Sequence, residues 1–312
     1  MKRTVLLADA GLLAVALIWG ASFTVLKDTL NTFQPLTLLA VRFAFSAAIL
    51  SLLFFRRVCR MGWGDLKAGV TVGFFLFLGF ISQTYGLVYT TAGKNAFLTT
   101  TYVVVVPFMG WALTRRFPGF HAFLSAGLCI AGVGFLTLGG EGIEGFNKGD
   151  ALTLLCAVFY SAQLMSIDHY AKRMDPIVLA VTQMVAMVAF CAIFAIPLES
   201  WPASISERAL WGMAFLVLFA TVLAFAVQMV AQRHSPPTHV SLILSTESVF
   251  GAVTGVLFLG ERFTGKMSIG AALVFGAILV AEVLPRWVRQ RMEISRGGIS
   301  KWVVSSIFRT FV

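Results

Sequence analysis

Ten stretches of this chain are apolar over about the length that crosses a bilayer. The first runs from Ala8 to Leu26 and contains Leu17-Ile18-Trp19-Gly20-Ala21-Ser22-Phe23. A hydrocarbon core of ~30 Å needs about 20 helical residues at ~1.5 Å each. The other nine lie at roughly 35–55, 66–88, 95–114, 120–139, 150–168, 177–197, 209–230, 240–260 and 267–284, each bounded by charge, Gly or Pro. Backbone polar groups find no water inside a bilayer, so runs of this kind close their hydrogen bonds internally, as helices. The connecting loops are short and leave no room for an aqueous catalytic domain. The expected class is an all-α membrane protein with ten transmembrane helices.

Charge confirms the solvent. Only 12% of residues are charged and 58% are hydrophobic, whereas a soluble domain carries about 25% charged residues. The net charge of +10 is not read as a nucleic-acid footprint, because the basic residues sit in short loops and at the chain ends, where topology accounts for them. Cys59, Cys129, Cys156 and Cys191 show no metal-ligand spacing, and three of them fall inside apolar runs; neither a disulfide nor a metal site is expected. Met1-Lys2-Arg3 before an apolar run resembles a signal peptide, but the run is long and no small-x-small site follows, so it is read as the first span.

The chain also repeats itself. Ala157-Val158-Phe159-Tyr160-Ser161-Ala162 follows the pattern of Ala16-Leu17-Ile18-Trp19-Gly20-Ala21, a shift of 141 positions that also carries Asp9 onto Asp150, Pro35 onto Pro176 and Gly110 onto Gly251. The implied units are 1–145 and 146–284, followed by a basic tail, 285–312. Each unit holds five helices, an odd number, so the second copy lies upside down relative to the first. Inverted repeats of this kind can exchange conformations, closing a central cavity on one side while opening it on the other. Lys and Arg gather on one side (Arg56, Arg57, Arg60, Lys67, Arg115, Arg116, Lys172, Arg173, Arg233 and both ends), and acids dilute the few on the other. The basic side is expected to be cytoplasmic, with both termini inside an inner membrane.

Several stretches resemble one family. Leu17-Ile18-Trp19-Gly20-Ala21-Ser22-Phe23, Ala40-Val41-Arg42-Phe43, Glu247-Ser248-Val249-Phe250-Gly251-Ala252, Leu259-Gly260-Glu261-Arg262 and Gly270-Ala271-Ala272-Leu273 are similar to the signatures of EamA-type transporters of the drug/metabolite transporter superfamily. The resemblance spans about residues 8–284. It implies ten helices, 5+5 inverted repeats and ATP-independent transport of small metabolites or drugs. Ser248 departs from the family's usual Pro, which removes the proline expected to kink the ninth helix.

Charged and aromatic side chains inside the spans are the candidate substrate contacts. Arg42 lies about seven residues into the second helix, ~10 Å deep, where a charge costs about 2.5–3.5 kcal/mol. It either grips a substrate carboxylate or phosphate with two hydrogen bonds or caps carbonyls of a neighbouring helix. Glu247 is the acid well inside a span, and suits proton carriage or a substrate amine. Trp19, Tyr85, Tyr102 and Tyr160 are aromatic residues at or near mid-membrane, where an interfacial belt explains them poorly; Trp19 and Tyr160 are repeat-related. Gln83, Gln163, Gln183, Gln228 and Gln232 add polar groups, and Gln183 is repeat-related to Arg42. Lys94 marks the outer end of a fourth helix whose Thr99-Thr100-Thr101 run precedes Pro107, a pattern that suits a bent, cavity-lining helix.

Other motifs carry no chemistry. Gly260-Glu261-Arg262-Phe263-Thr264-Gly265-Lys266 matches a phosphate loop, but Met267 stands where Ser or Thr must hold Mg²⁺. Gly69-x-x-x-Gly73 and Gly251-x-x-x-Gly255 read as helix packing within the chain. Asp168-His169 reads as a solvated helix end, Glu282 as wet, and Ile299 to Phe308 in the tail as an amphipathic stretch on an anionic leaflet. The chain is therefore expected to be a secondary transporter, not an enzyme. It works without cofactor or nucleic acid, as a monomer in the lipid bilayer, on a small-molecule substrate with protons as the candidate coupling ion. Export of amino acids or similar metabolites is the first reading. Drug or organic-cation export is second, and a channel is the reading of another class.

Overall fold

A computed structural model describes residues 2–115, 117–138, 146–234, 237–262 and 264–280. Helices follow one another in the order expected from the apolar runs: Lys2–Thr29, Pro35–Leu53, Trp63–Tyr89, then Ala92–Thr99 with Tyr102–Thr114 as a broken fourth, and Phe120–Leu138. The second half runs Lys148–Ala171, Pro176–Leu198, a three-part eighth over Glu207–Gln232, a broken ninth of Pro237–Ser245 and Glu247–Leu259, and a last helix Gly265–Val280. Among the described residues eight helices are long and apolar enough to span a bilayer, and the fifth and last are shorter apolar helices. Of the ten spans expected, eight are therefore helices of full bilayer length among the described residues, and the fifth and last apolar runs form helices too short to count as such. Arg116, Phe263, Glu282 and the whole tail after Pro285 lie outside the described residues.

The starts are written in short polar or proline motifs. Pro35 and Pro176, repeat-related, each open their helix at the first turn, where the missing N–H is not needed. Asn147 and Asp150 form a reciprocal capping box on the sixth helix, Asp175 accepts from the Ile177 N–H and Ser206 from the Ala209 N–H.

Packing follows the repeat. The third helix lies against the sixth and seventh, and its counterpart, the eighth, lies against the first and second. The second packs on the seventh and the fourth on the ninth. Glycines set the closest approaches: a Cβ on Gly69 would stand 2.2 Å from the Thr182 Cβ, and one on Gly73 2.7 Å from the Ala186 Cβ. Both small-residue motifs are spent on such contacts, since Gly251 faces Ala96 and Gly255 faces Glu261. Gly69→Val is expected to destabilise the detergent-solubilised protein by about 1–3 kcal/mol or more through overpacking. Gly64→Val, with nothing within 4 Å, is the control. Equal melting temperatures for the two variants would contradict this packing.

Two helices break at mid-length, and neither break sits on a proline. In the fourth, Thr100 and Thr101 turn their hydroxyls back onto the Phe97 and Leu98 carbonyls (2.8 and 2.7 Å), and the backbone tightens, with the Thr101 N–H on Leu98 O and the Val103 N–H on Thr100 O. In the ninth, Ser245, Thr246 and Ser248 do the same to Leu242, Ile243 and Ser245 (2.6, 2.7 and 2.8 Å), with the Thr246 N–H on Ile243 O. Hydroxyls that bond to the preceding turn compete with the α-helical ladder; a cluster of them yields a short i→i+3 turn. Pro107 stays inside a continuous half-helix, so the bend expected there occurs at the threonines. Loss of proline at Ser248 does not straighten the ninth helix, because hydroxyls supply the break.

The two membrane faces carry different locks. On the acidic face Lys94 does not mark a wet edge: it is buried and pairs with buried Asp150 at 2.8 Å. Nearby, Lys27 Nζ donates to the Leu87 and Thr90 carbonyls, capping the third helix (2.6 and 2.9 Å). Glu261 accepts from the Ala92 and Gly93 N–H groups at the start of the fourth (2.5 and 2.9 Å). The phosphate-loop look-alike therefore places an acid on a helix N-terminus. On the basic face His239 meets Asp9 at 2.8 Å. Asp9 and Asp150 are repeat-related, and each holds the first turn of a broken helix. The Asp168-His169 end is exposed, paired with Lys172 and Arg173 as a solvated terminus would be.

Candidate functional site

The two breaks open onto one cavity of about 60 Å³ between the repeats. The first residue after each break faces it, Tyr102 in the fourth helix and Glu247 in the ninth. The two side chains stand side by side. Gly20 makes this approach possible. A Cβ there would lie 2.7 Å from the Glu247 carbonyl oxygen and 2.9 Å from the Gly251 nitrogen, so the first helix can touch the ninth at this level with glycine alone.

Trp19 and Arg42 reach the same cavity from the first and second helices, and both are held by the eighth. That helix widens to a π-helical turn over Leu218–Leu223, which leaves carbonyls free of the α ladder. The Ala220 carbonyl accepts from Trp19 Nε1 (2.9 Å) and from Arg42 Nη2 (3.2 Å), and Thr221 Oγ1 accepts from Arg42 Nε (2.6 Å). Thr221 in turn donates five residues back, to Leu216 O at 2.7 Å. The guanidinium also lies 5.0 Å from the Phe80 ring centre and 5.5 Å from that of Phe43, within cation–π reach. Arg42 therefore has the capping role expected as one alternative, and it also lines the cavity.

Tyr160 completes the wall. Its hydroxyl donates to Gln83 Oε1 (3.0 Å), and Gln83 Nε2 donates to Thr99 Oγ1 (3.2 Å). Phe80 packs edge-on to Tyr160, and Phe225 packs against Trp19, Phe43 and Phe80. Gln163 and Gln228 line the cavity too. Gln183, at the position equivalent to Arg42, is buried but does not line the cavity and instead accepts from Gln163 Nε2 at 3.4 Å.

Of the six residues singled out in the sequence, Trp19, Arg42, Tyr102, Tyr160 and Glu247 converge here. Tyr85 does not. It lies toward the acidic end of the third helix, where its hydroxyl donates to Glu199 Oε1 (2.9 Å). Glu199 also caps the second helix, accepting from the Leu36 and Thr37 N–H groups (3.0 and 2.7 Å), so Tyr85 belongs to that cap. The residues missed were Phe80, Phe225 and the Ala220–Thr221 turn. Apolar aromatics in an apolar run give no signal of which face they occupy. A π turn leaves none that spacing alone reveals.

The EamA-like transporter family profile matches residues 6–138 and again 147–282. An uncharacterized transporter of Archaeoglobus fulgidus is 36% identical over 278 residues, 89% of this chain and 86% of that protein. The uncharacterized transporter YoaV of Bacillus subtilis is 23% identical over 85% of this chain. The threonine/homoserine exporter RhtA of Escherichia coli K12 is 26% identical over 164 residues, half of each chain. A protein crystal structure superposes with a TM-score of 0.69 over 90% of this chain and 98% of that one, at 19% identity, which speaks for the fold alone. With two matches that each take in five helices, and with broken helices meeting at a buried cavity between them, this chain belongs to the EamA-like transporter family, multi-pass membrane proteins that move small molecules.

Proposed function

We propose that this transporter exports amino acids, or metabolites of the same zwitterionic form, across the inner membrane by alternating access. One observation carries the reading: Arg42 and Glu247 line one aromatic cavity, and among the described residues neither forms an ion pair. Two buried ionisable groups of opposite type left without an ion-pair partner are costly to charge, and a ligand bearing both a carboxylate and an ammonium relieves that cost at both ends. Arg42 takes the carboxylate and Glu247, beside Tyr102, the ammonium. Residues 1–145 and 146–284 act as inverted repeats that rock about this point, with the basic face and both termini in the cytoplasm. In support, repeat-related Asp9 and Asp150 hold the broken helices at opposite faces, so parting one pair while keeping the other opens one side at a time.

Counterflow of labelled amino acids into proteoliposomes tests this. Saturable exchange is expected, with Glu247→Gln lowering it about tenfold or more, as one charged hydrogen bond requires. Uptake driven by a pH gradient, and abolished by the same substitution, adds protons as coupling ion. Absence of exchange with every amino acid would sink the proposal. The rings of Trp19, Phe80 and Phe225, which line the same cavity as Glu247, favour organic cations as second choice, which Arg42 disfavours by its charge.

A further inference from the structure

We propose that Gln228 is the side-chain subsite of this cavity, and that its amide selects substrates whose side chain carries a hydroxyl or amide. The inference rests on the zwitterion reading above and adds a third point of contact to it. Gln228 lines the cavity and is 1% exposed. Its side chain takes part in no hydrogen bond among the described residues, and its Oε1 is fully enclosed without a partner. The other two amides of the wall are occupied. Gln83 is held at both ends of its amide by Tyr160 and Thr99, and Gln163 donates to Gln183.

An amide oxygen enclosed without a partner costs about 1–3 kcal/mol. Such a group persists where a ligand completes it. Gln228 stands seven residues beyond Thr221 on the eighth helix, about two turns, and therefore shares the face on which Thr221 holds Arg42. One turn further on, Gln232 Nε2 donates to the Leu164 carbonyl (2.8 Å), which ties this part of the eighth helix to the sixth and fixes where Gln228 points. Phe225, Leu164 and Leu244 supply apolar parts of the same cavity wall. An aliphatic side chain would fill that space but leave the amide bare. A hydroxyl or carboxamide fills it and supplies both a donor and an acceptor. Discrimination by unpaired buried polar groups is far stronger than discrimination by one methyl group.

Threonine and valine differ by a hydroxyl against a methyl at nearly equal volume, so they isolate this contact. The experiment measures competition by each against labelled threonine counterflow in proteoliposomes. The full chain is expected to prefer threonine about tenfold or more. Gln228→Met, which matches glutamine in length, and Gln228→Ala, which leaves space, are each expected to bring that ratio near one, and the ratio remains readable if total activity falls. Equal competition by threonine and valine in the unaltered protein overturns this inference and leaves the amino-acid reading standing. A preference that survives both substitutions also overturns it. No exchange of any amino acid overturns both.

Discussion

Arg42→Lys is expected to abolish exchange as completely as Arg42→Ala, although it keeps the charge. Arg42 bonds Thr221 through Nε and Ala220 through Nη2 while lying over the Phe80 and Phe43 rings. A lysine ammonium is a point donor on a flexible stem and cannot reproduce that fork. Each hydrogen bond to a charged group is worth about 1.5–3 kcal/mol, and 1.4 kcal/mol is tenfold. Losing both therefore lowers the initial rate of counterflow by about 100-fold. Part of the loss is positional, because Trp19 shares the Ala220 carbonyl, and a π turn without its arginine no longer presents that acceptor in one place. Purified protein that stays monodisperse but retains more than about a tenth of the exchange as Arg42→Lys would contradict this role.

The second large effect concerns stability. Lys94→Met leaves Asp150 buried without its cation, and breaking a buried pair in this way costs about 3–5 kcal/mol. Asp150 retains the Asn147 N–H (3.2 Å) and the Thr90 hydroxyl (3.3 Å), which do not neutralise it. The double variant Lys94→Met, Asp150→Leu removes both charges and is expected to regain most of the loss, less the capping box that Asp150 shares with Asn147. Denaturant or thermal unfolding in detergent measures the cycle. A Lys94→Met protein as stable as its parent would show that the pair is wet. The corresponding change on the other face, His239→Leu, is expected to cost less, since Asp9 is 30% exposed there and water compensates.

Local chemistry alone determined much of this protein. Apolar runs of bilayer length specify spanning helices because no other backbone arrangement of this chain satisfies its polar groups in lipid. Pro35, Pro176, Asn147 and Asp175 set helix starts by acting within a turn or two of themselves, and the apolar runs read from the sequence begin within a few residues of them. Arg42 and Glu247 stood out because a charge at depth is expensive wherever it points, and their convergence on one cavity needed only that both avoid lipid. The offset of 141 positions is likewise a property of the chain.

Tertiary structure decided the rest, where the outcome depends on a partner far along the sequence. Lys94 looked like an edge residue until Asp150 was found against it; charge counting sees each residue alone. Tyr85 and Tyr102 are equally aromatic, yet one joins the cap of the second helix through Glu199 and the other faces Glu247, because depth and helical rotation, not composition, aim a side chain. The breaks at Thr100–Thr101 and Thr246 came from hydroxyls rather than from Pro107. The two first residues after the breaks, Tyr102 and Glu247, are 145 positions apart and so escape the 141-position repeat altogether. The π turn at Leu218–Leu223 is set by the donors that occupy it, Trp19 and Arg42, roughly 180–200 residues earlier in the chain. Until those helices pack together, nothing distinguishes that stretch of the eighth helix from its neighbours.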